Sequence, residues 1–210
     1  MATTSHKLDE MTFDTRRLEA LTDGVFAIAM TLLVLDLNVK AIGAAAGSGQ
    51  LWTGLDHLSN QIISFVVSFL MLGSMWAVHT RQFEFIKRTD RRLITINTLR
   101  LLAVVFLPLT TSVAGAYSGI ILGNILLPIN FLVLSCLSYW QWHYAVTSRN
   151  RLYNAELTAA GKRYYELRNQ IVILMAAAVV VLAIWFGEWA FCLFLLTPWI
   201  GRVVSRAPKA

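Results

Sequence analysis

The sequence is poor in the residues that build disulfide-linked or metal-dependent domains. Its 210 residues include two cysteines and four histidines. Cys136 and Cys192 both fall within long apolar runs, where isolated thiols behave as small apolar side chains and provide no disulfide framework. The histidines are scattered, without the H-E-x-x-H spacing of a metal site. We therefore expect no cofactor, no catalytic metal and no enzyme activity.

Two motifs of common transport machineries are also missing. No G-x-x-x-x-G-K-[ST] segment is present to cradle phosphates, which excludes nucleotide-driven transport within this chain. No T-V-G-Y-G-like loop is present either, which excludes a carbonyl-lined selectivity filter of the ordinary potassium-channel kind. We therefore expect any functional site of this chain to be formed by side chains on helices.

Charge is scarce, and long apolar runs are abundant. Only 14% of the residues are charged and 57% are hydrophobic, which indicates an integral membrane protein. A bilayer core of about 30 Å requires roughly 20 apolar residues per helical crossing. The sequence therefore predicts an all-α fold with one domain over 1–210 and six transmembrane helices, at about 18–38, 60–80, 93–113, 119–146, 169–187 and 189–204. The last two runs are separated by Gly187 and Glu188, which we interpret as a tight hairpin.

Sixteen of the 18 basic residues fall on one side of this predicted topology. They occupy the N-terminus, the second-to-third and fourth-to-fifth connections and the C-terminal tail, at Lys7, Arg16, Arg17, Arg81, Lys87, Arg88, Arg91, Arg92, Arg149, Arg151, Lys162, Arg163, Arg168, Arg202, Arg206 and Lys209. The other connections contain only Lys40, and Arg100 falls within the third span. Cytoplasmic loops collect lysine and arginine, so we predict a multi-pass protein of the cell membrane with both termini cytoplasmic. The net charge of +6 then faces anionic membrane lipid, and a nucleic-acid partner is not expected.

Polar side chains lie within the first three predicted spans, toward their cytoplasmic ends. They are Asp23, His79, Asn97 and Arg100. A carboxylate inside a membrane needs a partner, and His79, Arg100, Arg17 or the indole of Trp76 could each donate to Asp23. One interpretation is a structural network that pins the helices together. The other is a proton relay through Asp23 and His79, because the imidazole pKa is ordinarily near neutrality.

A separate apolar stripe runs along the first span. Ile28, Thr31, Leu32 and Leu35 recur at i, i+3, i+4 and i+7 and therefore share one helical face. At about 100° per residue, Asp23 lies about 140° around the helix from Ile28, so the two side chains point in different directions. The stripe is either a lipid or packing surface, or a hydrophobic constriction that dewets a pore.

The first span also carries a family resemblance. The segment R-L-E-A-L-T-D-G-V-F-A-I-A-M-T-L-L-V-L resembles the signature first helix of the prokaryotic relatives of the lysosomal potassium channel, transmembrane protein 175. That family's hallmark is an arginine followed by F-S-D, and this chain has Arg17 followed by Leu21, Thr22 and Asp23. W-A-V-H at 76–79 and N-T-L-R-L-L-A-V-V-F-L-P-L-T-T at 97–111 resemble the family's second and third helices.

The resemblance implies a homotetramer whose first helices line a central potassium-permeable pore. By position relative to Asp23, it assigns the narrow apolar rings to Ile28, Leu32 and Leu35 and a hydroxyl ring, with potassium ions passing nearby, to Thr31. It assigns the packing network behind the pore to Arg17, Thr22, Asp23, Trp76, His79, Asn97 and Arg100. We expect partly hydrated potassium to pass with modest selectivity over sodium, because an apolar constriction offers few dipoles that discriminate ions.

Two alternatives remain open from the sequence. One is a proton-coupled secondary transporter that uses Asp23 and His79, although such proteins usually show inverted repeats and broken helices. The other is a non-conducting membrane scaffold, in which the stripe faces lipid. One amphipathic stripe cannot enclose a water-filled path alone, so the channel hypothesis requires several copies of the chain arranged with closed symmetry.

Overall fold

The chain folds as a set of long packed helices in a computed structural model that describes residues 13–35, 51–117, 119–148, 152–153 and 157–196. The α-helices are α1 (Arg16–Leu35), α2 (Leu51–Phe85), α3 (Arg91–Ala116), α4 (Ile121–Thr147) and α5 (Ala159–Phe186). A 3-10 helix follows at Gly187–Leu196. Two short strands, β1 (Phe13–Asp14) and β2 (Arg88–Thr89), complete the described elements.

Five of the six predicted spans are confirmed as helices. α1, α3, α4, α5 and the segment Gln61–Phe85 of α2 are each long and apolar enough to cross a bilayer. Two helices begin well before their predicted starts, α2 at Leu51 instead of about residue 60 and α5 at Ala159 instead of about residue 169. The sixth predicted span, 189–204, coincides with the 3-10 helix as far as Leu196, and its remaining residues lie outside the described part of the chain.

Local side chains set several of the helix ends. The Asp90 carboxylate accepts a hydrogen bond from the backbone N–H of Leu93 at 2.8 Å and caps the start of α3. Thr158 caps α5 in the same way, with its hydroxyl accepting from the N–H of Gly161 at 3.1 Å. α5 ends at Phe186, and the next residue, Gly187, has a φ of +55°, which favours glycine. The predicted break in the last apolar run therefore does occur at Gly187.

A small antiparallel sheet ties the start of α1 to the connection between α2 and α3. Phe13 pairs with Thr89, and Asp14 pairs with Arg88. The all-α prediction misses this sheet, because strands of two residues are too short to produce a recognisable alternation of polar and apolar residues. The sheet fixes the position at which α1 begins relative to the end of α2.

The core lies between α1 and the helices behind it. α1 packs against both α2 and α3, while α4 packs between α3 and α5. The buried face of α1 contributes Phe26, Ala29 and Leu33 to a continuous apolar cluster that also contains Leu72 of α2 and Val104 of α3. One face of α1 is thus fully used in packing, and the opposite face is left on the outside of the single chain.

Candidate functional site

The outward face of α1 carries the predicted stripe. Ile28 is 60% exposed, Leu32 41% and Leu35 74%, and Thr31 is also exposed. A row of exposed apolar side chains is expected at a lipid contact, a subunit contact or a pore wall in a membrane protein. The described chain leaves all four stripe residues available to line a space outside itself.

Thr31 is oriented by its own helix. Its hydroxyl donates a hydrogen bond to the backbone carbonyl of Ile28 at 2.8 Å. Because the single hydroxyl proton is used in this bond, the oxygen presents only lone pairs to its other neighbours. A hydroxyl held in this way can accept hydrogen bonds or coordinate a cation, and it donates none outward.

Asp23 is bonded to Trp76, one of the four partners that the sequence left open. The indole N–H of Trp76 donates to Oδ1 of Asp23 at 2.9 Å and so links α1 to α2. Both side chains are exposed on the surface of the single chain. Arg17 is also exposed and forms no ion pair with another described residue.

His79 occupies a different environment. It is 1% exposed and lies between two phenylalanine rings, 6.3 Å from the ring centre of Phe26 and 4.3 Å from that of Phe83. Neither ring nitrogen has a hydrogen-bond partner among the described residues. The structure therefore contains no direct hydrogen bond between Asp23 and His79.

The remaining predicted polar residues form a second, fully buried chain of hydrogen bonds. Asn97 of α3 donates to the hydroxyl of Thr22 on α1 at 2.9 Å. Gln141 of α4 donates to the Asn97 carbonyl oxygen at 3.1 Å and accepts from Nη1 of Arg100 at 2.8 Å. The Arg100 guanidinium also lies 5.8 Å from the ring centre of Phe26. Three helices are thus joined through one line of polar side chains behind the outward face of α1.

Two members of this arrangement were not predicted. Gln141 connects Asn97 to Arg100, and the ring centre of Phe26 lies 6.3 Å from that of His79 and 5.8 Å from the Arg100 guanidinium carbon. Gln141 could have been identified from the sequence, since an amide inside the fourth predicted span is as unusual as Asn97 is in the third. Phe26 could not, because an aromatic residue within a span is ordinary.

Comparison with known proteins connects this arrangement with ion channels. A family model described as the endosomal/lysosomal potassium channel TMEM175 matches residues 17–108. A potassium channel of Streptomyces collinus is 34% identical over 158 residues, which are 72% of this chain and 74% of the relative. The endosomal/lysosomal proton channel TMEM175 of Bos taurus is 30% identical over 125 residues, which are 54% of this chain and 26% of that longer protein.

A solved structure supports the same relationship over almost the whole chain. The crystal structure of a lysosomal potassium-selective channel TMEM175 homolog from Chamaesiphon minutus superposes with a TM-score of 0.67 at 27% sequence identity. The match covers 92% of this chain and 98% of the solved one. The likeness therefore extends well beyond the segment matched by the family model.

Proposed function

The chain belongs to the TMEM175 family of ion channels and is a multi-pass membrane protein, and from this premise we propose that it forms a potassium-permeable cation channel. The proposal places the pore on the outward face of α1. We propose a pore without a re-entrant filter loop, in which the α1 side chains set the width and chemistry of the narrow region.

The observation that carries the proposal is the exposure of the α1 stripe. Ile28 and Leu35 are among the most exposed large apolar side chains of α1, while the opposite face of the same helix is buried. Each chain supplies one such stripe, and closing a pore with one stripe per chain requires a symmetric ring of copies. We propose a homotetramer in which Ile28, Leu32 and Leu35 form three apolar rings around the axis.

Within this pore, Ile28 is proposed as the narrowest ring and the gate. Apolar constrictions control conduction by dewetting, since water and ions leave a narrow apolar segment before it is sterically closed. The Thr31 hydroxyl, which is directed onto the Ile28 carbonyl, offers only oxygen lone pairs to a passing ion. We place a potassium position near the Thr31 ring and expect modest selectivity over sodium, because few dipoles surround the ion there.

The polar residues behind α1 are proposed to hold the pore helix in position. The Asp23–Trp76 bond and the bonds of Asn97 with Thr22 and Gln141 attach α1 to α2 and, through α3, to α4. Hydrogen bonds between transmembrane helices contribute about 0.6–2 kcal/mol each. The two bonds that reach α1, at Asp23 and Thr22, resist a rotation of the helix that would carry the stripe away from the axis.

The proposed topology completes the channel subunit. We propose six spans with the basic connections on the cytoplasmic side and both termini in the cytoplasm, in agreement with the distribution of lysine and arginine. The outer faces of the remaining helices contact membrane lipid. A proton relay through Asp23 and His79 receives no support from the geometry, since no hydrogen bond connects these two side chains.

Ion flux in liposomes tests the proposal. Purified protein is reconstituted in potassium-loaded vesicles, and passive flux against a sodium gradient is compared for the wild type, Ile28→Asn and Ile184→Asn. Ile184 is the matched control, because it is a 39% exposed isoleucine on α5. We expect the wild type to conduct potassium in preference to sodium, Ile28→Asn to conduct more, and Ile184→Asn to equal the wild type.

Two results would contradict the channel proposal or the assignment of the gate. If no protein variant conducts while valinomycin empties the same vesicles, the channel proposal is wrong and the scaffold hypothesis gains. If Ile184→Asn raises flux as much as Ile28→Asn does, the increase reflects leaky bilayers and the assignment of the gate to Ile28 is wrong.

A further inference from the structure

The outward face of α1 extends beyond Ile28 toward the start of the helix, at Gly24 and Leu21. Gly24 precedes Ile28 by four residues and Leu21 precedes it by seven, so they lie about 40° and about 20° from it around the helix. Leu21 is 55% exposed, and Gly24 is also exposed. This face thus carries a leucine, then a position without a side chain, and then the proposed gate.

Packing within the chain does not account for a glycine at this position. A Cβ added at Gly24 meets no atom within 4 Å outside its own stretch of α1. By contrast, a Cβ added at Gly115 of α3 would lie 3.3 Å from Cα of Gln61, which is tighter than most real Cβ contacts. The described neighbours of Gly24 therefore leave room for a side chain.

Backbone conformation does not account for the glycine either. Among the described residues, the positive φ angles that favour glycine occur at Gly119 and Gly187, whereas Gly24 lies inside α1. Glycine inside a helix is destabilising relative to alanine, because it loses more backbone freedom on folding. The chain thus keeps a destabilising residue for which its own packing gives no reason.

Gly24 faces directly away from the core of its own chain. Leu33, which is fully buried, lies about 180° around the helix from Gly24. Thr31 lies about 20° from Gly24 on one side, and Leu35 lies about 20° from it on the other. Gly24 is therefore at the centre of the outward face and not at its edge.

We infer that Gly24 keeps open a chamber without side chains in the pore, in which potassium stays hydrated next to the Ile28 gate. The inference rests on the proposed channel. In a ring of copies, Gly24 of every chain faces the axis about 6 Å from the Ile28 ring, on its cytoplasmic side. Leu21 and Ile28 narrow the lumen on either side of this level, where only backbone borders it. Because an apolar constriction expels water, an ion that waits in the wider space keeps its water until it enters the gate.

A contact between neighbouring helices is the other use of glycine in a membrane span, because small residues let helix backbones approach closely. Such a contact between copies would lie on the flanks of the outward face, whereas Gly24 is at its centre. The two roles also respond differently to substitution. A side chain added at a helix contact weakens assembly, whereas a side chain added to the lumen obstructs ions and leaves assembly intact.

A size series at residue 24 tests the inference in potassium-loaded liposomes. The variants are Gly24→Ala, Gly24→Leu and, as the matched control, Val181→Phe, which adds as many carbon atoms as Gly24→Leu at a 53% exposed position of α5. We expect Gly24→Ala to lower potassium flux, Gly24→Leu to abolish it and Val181→Phe to leave it unchanged. We also expect Gly24→Ala to unfold at an SDS content no lower than the wild type does, because alanine is the better helix former. Size-exclusion profiles report the assembly of each variant.

Three results would overturn the inference while leaving the channel proposal in place. They are wild-type flux through a correctly assembled Gly24→Leu protein, an equal loss of flux in Val181→Phe, and a loss of assembly or stability in Gly24→Ala that accompanies its loss of flux. The last result would show that Gly24 serves a helix contact. A wild type that passes no potassium would refute the channel proposal, and the chamber with it.

Discussion

Gln141 is expected to be the most sensitive polar residue of the buried network, because two hydrogen bonds depend on it. Its carbonyl oxygen accepts from Nη1 of Arg100 at 2.8 Å, and its amide donates to Asn97 at 3.1 Å. Nε and Nη2 of Arg100 have no partner among the described residues. Gln141→Leu therefore removes the one described hydrogen bond of a buried guanidinium.

The size of the effect follows from the two bonds lost. A hydrogen bond to a charged group contributes about 1.5–3 kcal/mol, and one between neutral side chains of membrane helices averages about 0.6 kcal/mol. We expect Gln141→Leu to lower the free energy of unfolding by about 2–4 kcal/mol. The measurement is reversible unfolding in mixed micelles of increasing SDS content, followed by helical circular dichroism.

Two further variants separate this cause from a general effect of substitution. Gln170→Leu makes the same chemical change at an exposed residue of α5, whose amide is 3.4 Å from the Tyr139 hydroxyl, and we expect a change within about 0.5 kcal/mol. Gln141→Glu keeps an acceptor for Arg100 and should destabilise less than leucine does. A Gln141→Leu protein as stable as the wild type, or a glutamate variant as unstable as the leucine one, would refute the role given to Gln141.

The other stability predictions concern substitutions in α2 and α4. Trp76→Phe keeps an aromatic ring but removes the N–H donor to Asp23, so we expect a loss of about 1 kcal/mol in the same unfolding assay; an unchanged midpoint would show that the bond contributes nothing. Gly123→Ala places a Cβ against the backbone carbonyl of Tyr117 at a separation that real Cβ atoms do not adopt, whereas Gly73→Ala meets only an ordinary contact. We expect Gly123→Ala to destabilise by about 1–3 kcal/mol and Gly73→Ala to be neutral or stabilising, and equal effects of the two would contradict the close approach at Gly123.

Much of the helical framework was predictable because a bilayer imposes a simple length and composition on each span. The common face of the stripe was also predictable, because residues spaced like Ile28 and Leu35 must share one side of a helix. Whether that side is buried or exposed was not predictable. The structure supplies this information, because it depends on which side of α1 packs against α2 and α3.

The partners within the polar network were less predictable. Four donors were possible for Asp23, and choosing Trp76 required the relative rotation of α1 and α2, which no local pattern encodes. Asn97 and Arg100 were identified as unusual, but their common partner Gln141 lies on α4, 41 residues from Arg100 in sequence. Contacts between distant helices are fixed by tertiary packing, and periodicity along one helix does not report them.

We propose that the outward face of α1 lines the ion path. Single cysteines introduced into a protein in which the two exposed native cysteines, Cys136 and Cys192, are replaced by alanine test this placement. Leu35→Cys on α1 is compared with Leu174→Cys on α5, because these leucines are 74% and 69% exposed. Each reconstituted protein is treated with a trimethylammonium methanethiosulfonate reagent, and modification is verified by mass spectrometry.

A bulky fixed cation attached inside the pore obstructs and repels potassium, whereas the same group on a lipid-facing or peripheral surface does not. We expect potassium flux through the Leu35→Cys protein to be lost on modification and flux through the Leu174→Cys protein to be retained. Unchanged potassium flux through a fully modified Leu35→Cys protein would show that the outward face of α1 does not line the ion path.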